Sequence, residues 1–351
     1  MKNWPLSASG YSRVACRCWA SMKKKKTWSR CSCALPAAWL HEDSGRARAV
    51  NGKGGMATYT ADNLHIRAKD TGRAGAFASL NARRAGWDTL NFAAVRLGTG
   101  KTFEIAIDNF EYVAVVLGGR CTIRTNRGDF ENIGRRADVF SGLPYAVYLP
   151  PNTEFEIESL TDNFEFASCW VPTEVEHPAR LISPQAIELQ LLGGGNCSRQ
   201  MCRLIGGGFP ASRLLAYELY TPGGNWSSIP PHKHDRHRTD ERGKVLEAQL
   251  HRFSFYKFDR PTGYAYQRVY AADHSWDATM LARQHDLVLM PEGYYTLVSA
   301  PGTTTYTLNF LAGSTRDFAH SDDPRYAWLG EAMPAMDARL PVVDHGMEIG
   351  H

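Results

Sequence analysis

From residue 56 onward, short runs rich in β-branched and aromatic residues are separated by clusters of Gly, Pro, Asn and Asp. Runs at 103–107, 112–117, 121–125, 145–149 and 164–170, and again at 214–220, 253–258, 265–270, 287–290 and 306–310, have the composition of strands on a partly buried pleated surface. Turn residues recur about every 8–12 positions, the spacing of a sandwich or barrel. Long helical stripes are rare, and 276–283 is predicted as one short helix.

The two halves repeat an order of signals. In the first, strands around Gly118-Gly119 lead to Gly142-Leu-Pro-Tyr145 and then Tyr148-Leu-Pro-Pro151; in the second, a strand region leads to Asp286-Leu-Val-Leu-Met-Pro-Glu-Gly293. Each half has the length of one jelly-roll barrel, which wraps two sheets together and leaves few open edges. The predicted organisation is a leader at 1–55, an N-terminal barrel at 56–180, a crossover at 181–213, a C-terminal barrel at 214–330 and a tail at 331–351.

Charge sharpens that division. The leader holds 11 of the 40 Lys and Arg but only Glu42 and Asp43 among the 36 acids, so the remaining 29 basic and 34 acidic side chains make the body mildly acidic. Such a body has no electrostatic reason to bind nucleic acid, which demands many phosphate-neutralising cations. No run approaches the roughly 18 apolar residues of a membrane-spanning helix. The leader lacks strand alternation, a helical stripe and the apolar stretch of a secretory signal. It is expected to be disordered or to precede the native start, with Met56 as the alternative initiator and an organelle transit peptide as the rival. Its Cys16, Cys18, Cys31 and Cys33 lack the spacing of a zinc site, and Cys121, Cys169, Cys197 and Cys202 in the body read as reduced thiols. A cytoplasmic protein is expected.

The candidate chemistry centres on His232-x-His234. Residues i and i+2 of a strand share a face, so both imidazoles can meet one metal ion, while Pro230 and Pro231 stiffen the approach. The first half has no histidine in its strands at 103–107 and 112–117, so that barrel is expected to be structural. Nothing resembles a nucleotide-binding glycine loop.

Long stretches of the body resemble the 5-deoxy-glucuronate isomerase family of inositol catabolism. They include Phe130-Glu-Asn-Ile-Gly-Arg-Arg136, Pro144-Tyr-Ala-Val-Tyr148, Pro178-Ala-Arg-Leu-Ile182, the segment from Tyr220 through Trp226-Ser-Ser-Ile-Pro-Pro-His-Lys-His-Asp235, Gln267-Arg-Val-Tyr270, Asn309, Ala312-Gly313 and Asp323-Pro324 to Trp328. The resemblance implies an all-β fold of two tandem cupin barrels. It also implies conversion of 5-deoxy-glucuronate to 5-dehydro-2-deoxy-gluconate with a divalent metal, zinc or manganese, in the second barrel. A sugar acid would be the small-molecule partner, and a homo-oligomer the expected assembly.

The family's other two metal ligands are a glutamate and a histidine. Counting back from Gln267 without gaps puts the glutamate position at Arg252, and Tyr295 stands where the histidine belongs. Three readings stay open. His237, Glu247 or His251 can substitute as ligands. Alternatively the metal is lost and Arg252 forks onto a sugar carboxylate, leaving a non-catalytic binding or oligomerising module. Finally, a one-residue slip can turn Arg252 outward. Arg268 is a second candidate for the substrate carboxylate, or else a barrel-end salt bridge. Asp235 either orients a histidine or forms a turn, and Tyr294 and Tyr295 either donate protons or pack. His274, His285 and His320 carry no spacing signal and are expected at the surface or in turns.

Overall fold

The computed structural model describes residues 59–330 and 334–347; the expectations for the leader and its cysteine pairs lie outside the described residues. Helix there is limited to short pieces such as Ala61–Leu64 and Ala82–Ala85, and none is long and apolar enough to cross a membrane.

Four sheets carry the architecture. In the first barrel a six-stranded sheet runs Arg180–Ile182, Ala146–Leu149, Phe110–Gly118, Phe164–Pro172, Asn91–Leu97, Gly75–Leu80. It faces a four-stranded sheet of Thr102–Ile107, Thr153–Ser159, Cys121–Thr125 and Phe130–Ile133. Ring contacts join the two, Tyr112 on Phe155 at 4.8 Å and Phe166 on Phe103 at 5.3 Å. Strand Thr153–Ser159 shows why: Thr153, Phe155, Ile157 and Ser159 are buried while the three glutamates between them are only partly covered.

The second barrel pairs a seven-stranded with a five-stranded sheet. The larger runs His65–Ile66, Leu287–Met290, Leu250–Phe258, Thr305–Gly313, Leu214–Thr221, Arg199–Ile205, Glu188–Leu192; the smaller runs Asp277–Ala282, Ala265–Tyr270, Tyr294–Ser299, Trp226–Lys233, Ser321–Asp322. Every residue of Leu214–Thr221 is buried, because this sheet is covered on both faces. One face lines the second barrel's interior and the other packs on the first barrel, where Phe92 lies 5.2 Å from Phe253 and 5.3 Å from Phe255.

Two buried polar anchors fix that packing. Arg136, from the first barrel, meets Glu218 in a bidentate pair at 2.6 and 3.0 Å, and also donates to the Val116 carbonyl. Glu111 accepts from the backbone N–H groups of Ser212, Arg213 and Leu214, holding the start of the Leu214–Thr221 strand. The second barrel's interior is thereby held by its neighbour.

Three expectations need correction. Residues 276–283 are not helical; Asp277–Ala282 is a strand whose Ala278, Met280 and Ala282 alternate into the core. The stretch assigned to a crossover contributes two strands, Glu188–Leu192 and Arg199–Ile205, to the second barrel. The assigned tail packs too: Gln200 accepts from Val342 N and donates to the Val343 carbonyl, with Val343 buried.

Candidate functional site

The site forms inside the second barrel, where the Trp226–Lys233 strand passes between two neighbours. Its register breaks after Ser227 and resumes with His232 opposite Tyr295 on one side and Asp322 on the other. The interruption coincides with Pro230 and Pro231, which carry no N–H for a ladder. His232 and His234 then project together, their ring centres 5.7 Å apart. His320, just ahead of the Ser321–Asp322 strand, brings a third imidazole 4.5 Å from His232 and 5.7 Å from His234.

All three rings are oriented alike. Nδ1 of His232 faces the Pro230 carbonyl at 3.1 Å, that of His234 the Ala319 carbonyl at 3.2 Å, and that of His320 the Phe318 carbonyl at 3.1 Å. A carbonyl only accepts, so each Nδ1 donates its proton and each Nε2 keeps a free lone pair. Burial, then the neighbouring imidazoles and Arg252, hold the His232 pKa well below the usual histidine range. Burial, then Arg252, bring that of His234 down to about 3. Both rings are therefore neutral, the form that binds metal.

The opposite wall is cationic and under-satisfied. Arg252, 4% exposed, donates from Nη2 to Asn309 Oδ1 at 2.8 Å, but its Nε and Nη1 have no hydrogen-bond partner among the described residues. Its guanidinium lies over the Tyr295 ring at 4.3 Å and near Tyr217 at 5.5 Å. Burial opposes its charge, yet Tyr217, Tyr295 and Tyr256 hold its pKa above the ordinary value. The Tyr295 hydroxyl is also buried without a hydrogen-bond partner, and burial pushes its pKa up so that it keeps its proton.

His232, His234, Arg252 and Tyr295 therefore form one cluster inside the second barrel. The other predicted residues do not join them. Glu247 is consumed by Lys233 at 2.8 Å, the backbone N–H groups of Asp235 and Arg236, and Ser321; despite burial, those donors lower its pKa to about 2. His251 points to the sheet's other face, stacked on Trp87 at 5.1 Å and bonded to Thr89. His237 is exposed and meets Thr315 at 3.1 Å. Arg268 also faces away, paired with Asp277 at 2.6 Å over the Tyr270 ring, because Gln267 and Val269 take the buried face of that strand. Asp235 ties Lys233 to the backbone N–H of Gly293 and shapes the turn before Tyr294. His320 and Asp322 were missed, as were Tyr217 and Asn309 as cavity residues.

The donor chemistry fits a divalent ion. One ligand atom from each of His232, His320 and Asp322 lies within 4.8 Å of the others, and imidazole nitrogen with carboxylate oxygen is a common set for zinc or manganese.

A family model described as the KduI/IolB family matches residues 64–329. This chain belongs to the KduI/IolB family. A KduI/IolB relative from Geobacillus thermodenitrificans, named 5-deoxy-glucuronate isomerase, is 38% identical over 71% of this chain and 89% of its own length. A Bacillus subtilis protein of the same name is 33% identical over 69% and 88%. The crystal structure of an IolB-like protein from Salmonella typhimurium superposes with a TM-score of 0.72 at 31% identity, covering 76% of this chain and 99% of that one. Oxalate decarboxylase of Bacillus subtilis, at 13% identity and a TM-score of 0.52, shares the fold alone over 76% and 80%. The all-β, two-barrel cupin fold is thus shown for this KduI/IolB member.

Proposed function

We propose that the protein is an aldose–ketose isomerase that converts 5-deoxy-glucuronate to 5-dehydro-2-deoxy-gluconate in myo-inositol catabolism. One observation carries the substrate class: Arg252 is buried beside the imidazoles with two N–H groups unpaired. A buried guanidinium in that state calls for an anion, and a sugar carboxylate can accept from one of the bare nitrogens together with the second hydrogen of Nη2 beside it.

The reaction moves a hydrogen from C-2 to C-1 while the C-2 hydroxyl becomes a carbonyl and the aldehyde becomes an alcohol, with no net oxidation. Arg252 binds and orients the far carboxylate. Tyr295 keeps its proton on Oη and can donate a hydrogen bond to the oxygen on which charge develops. His232 and His234 would hold a divalent ion, zinc or manganese, through Nε2, and such an ion supplies Lewis-acid polarisation of the carbonyl.

Arg252 among the imidazoles favours a second reading, in which the cavity binds a sugar acid without turning it over. The two separate in one assay. Metal-supplemented protein is incubated with 5-deoxy-glucuronate, and with its neutral analogue in which the acid is reduced to an alcohol, and followed by carbon NMR. A ketone resonance from the acid but not the alcohol is expected; no ketone from either rejects the isomerase reading.

A cytoplasmic homo-oligomer is the form this reading expects. An apolar row, Leu281–Tyr266–Val298–Trp226, crosses the outer face of the five-stranded sheet with Tyr266 47% and Trp226 37% exposed. Sedimentation showing only monomer would remove that part.

A further inference from the structure

We propose that His320 and Asp322 are metal ligands of this chain, forming with His232 a site displaced toward the barrel mouth. The inference deepens the isomerase reading and rests on it only for the ion's purpose; the ligand assignment stands on geometry.

Arg252 and Tyr295 occupy the interior, 4% and 2% exposed, and neither is a useful partner for a cation. A guanidinium repels it, and the Tyr295 ring is covered by that guanidinium at 4.3 Å. An ion bound at His232 must therefore find its remaining ligands elsewhere. The one free direction is outward, and His320 and Asp322 stand there, both exposed, beside the partly buried His232. His320 is fixed by its Nδ1 bond to Phe318, so its Nε2 is presented rather than drifting. That Nε2 lies 3.5 Å from Asp322 Oδ1, too long for a strong bond but suited to two ligands of one ion.

The backbone enforces the juxtaposition. Asp322 pairs directly with His232 across the ladder, and the Ala319 carbonyl that anchors His234 immediately precedes His320. One segment, 318–322, thus orients one imidazole, supplies a second and adds a carboxylate. Donation by Nδ1–H to a backbone carbonyl, leaving Nε2 forward, is the outer-shell arrangement of metal-binding histidines, and here it occurs three times. The outward shift has a consequence for substrate. The ion takes the mouth and the carboxylate takes Arg252 deep inside, so the sugar must lie along the barrel axis with its acid end inward and its aldehyde toward the ion.

The test is metal binding, read without turnover. The purified full chain is stripped with chelator and titrated with Zn²⁺ in competition with a chromophoric chelator, and with Co²⁺ by visible absorption. His320→Ala and Asp322→Asn are compared with wild type and with His237→Ala, a nearby exposed histidine outside the site. Wild type and His237→Ala should bind one ion with the intense bands of low-coordinate Co²⁺. His320→Ala should weaken Zn²⁺ by about 100-fold or more and Asp322→Asn by about 10-fold or more, both altering the Co²⁺ spectrum. Circular dichroism identical to wild type shows that the variants fold; both changes lie on exposed side chains. Failure of wild type to bind an ion, or wild-type affinity and spectrum in both variants, overturns the assignment. Neither result depends on ketone formation, so the isomerase reading stands or falls separately.

Discussion

Replacing Arg252 by methionine separates a substrate-binding arginine from a structural one. Each unpaired buried donor costs about 1–3 kcal/mol, so the bare Nε and Nη1 of Arg252 weigh about 2–6 kcal/mol against the folded state. The bond to Asn309 favours it by about 1.5–3 kcal/mol, and the stack on Tyr295 by about 2 kcal/mol. Arg252→Met removes all three contributions together and keeps most of the aliphatic volume. Asn309 is not orphaned, because its Oδ1 still accepts from Ser254 at 2.6 Å. The opposing effects nearly cancel, and stability should stay within about 2 kcal/mol of wild type. In a chain of this size that is a Tm change of no more than about 8 °C. Sugar-acid affinity should fall far more, because removing one partner of a buried charge pair costs about 2–5 kcal/mol, about 30-fold or more in Kd. Differential scanning calorimetry gives the first quantity, and isothermal titration with 5-deoxy-glucuronate the second. Arg252→Lys, which retains the charge without the planar fork, should fall between. A loss of 3–5 kcal/mol in stability with unchanged affinity would refute the reasoning, since that is the signature of an arginine whose charge holds the fold.

Three further outcomes are expected. Tyr295→Phe deletes a buried hydroxyl that has no partner and leaves the ring under Arg252; it should stabilise by about 1 kcal/mol while slowing ketone formation about 100-fold, and an unchanged rate would remove Tyr295 from the chemistry. His285 is buried with its Nδ1 on Asp70 at 2.9 Å and no hydrogen-bond partner for Nε2 among the described residues, and burial, then Lys257, lower its pKa from 6.5 to about 4. A lowered folded-state pKa gives stability that is full above pH 6.5 and declines as pH falls toward 4, by about 3 kcal/mol in total. Urea titrations of His285→Asn, a residue that tolerates the φ of 68° there, should lack that decline; identical pH slopes would contradict it. Arg136→Met strands the buried Glu218 carboxylate between the barrels and should cost about 3–5 kcal/mol, seen as a Tm drop of about 10 °C; a drop under about 2 °C would show that the pair does not hold the barrels together.

Much of this was legible in the sequence, and the failures have physical causes. β-Branched and aromatic composition and turn chemistry placed Cys121–Thr125, Ala265–Tyr270 and Leu287–Met290 at their observed bounds. The strand at Asp277–Ala282 was hidden by alanine, methionine and leucine, which also favour helices. The His232-x-His234 pair was visible because both rings come from one short stretch at the end of the Trp226–Lys233 strand. His320 and Asp322 were not, because they enter from a two-residue strand far along the chain, too short for any pattern. His285 was expected at the surface or in a turn; its φ of 68° suits a turn, but it is buried between Phe77 of the first barrel and Phe255 of its own. The choice between Arg252 and Arg268 was a matter of strand parity, and only the folded sheets decide which parity faces the cavity.

The most direct test is a crystal of the protein soaked with 5-deoxy-glucuronate, with difference density as the readout. The account predicts a single sugar acid inside the second barrel, its carboxylate within hydrogen-bonding distance of Arg252 Nε or Nη1 and its other end toward His232 and His320. Density in the first barrel, or a carboxylate on Arg268 at the outer face, would contradict it.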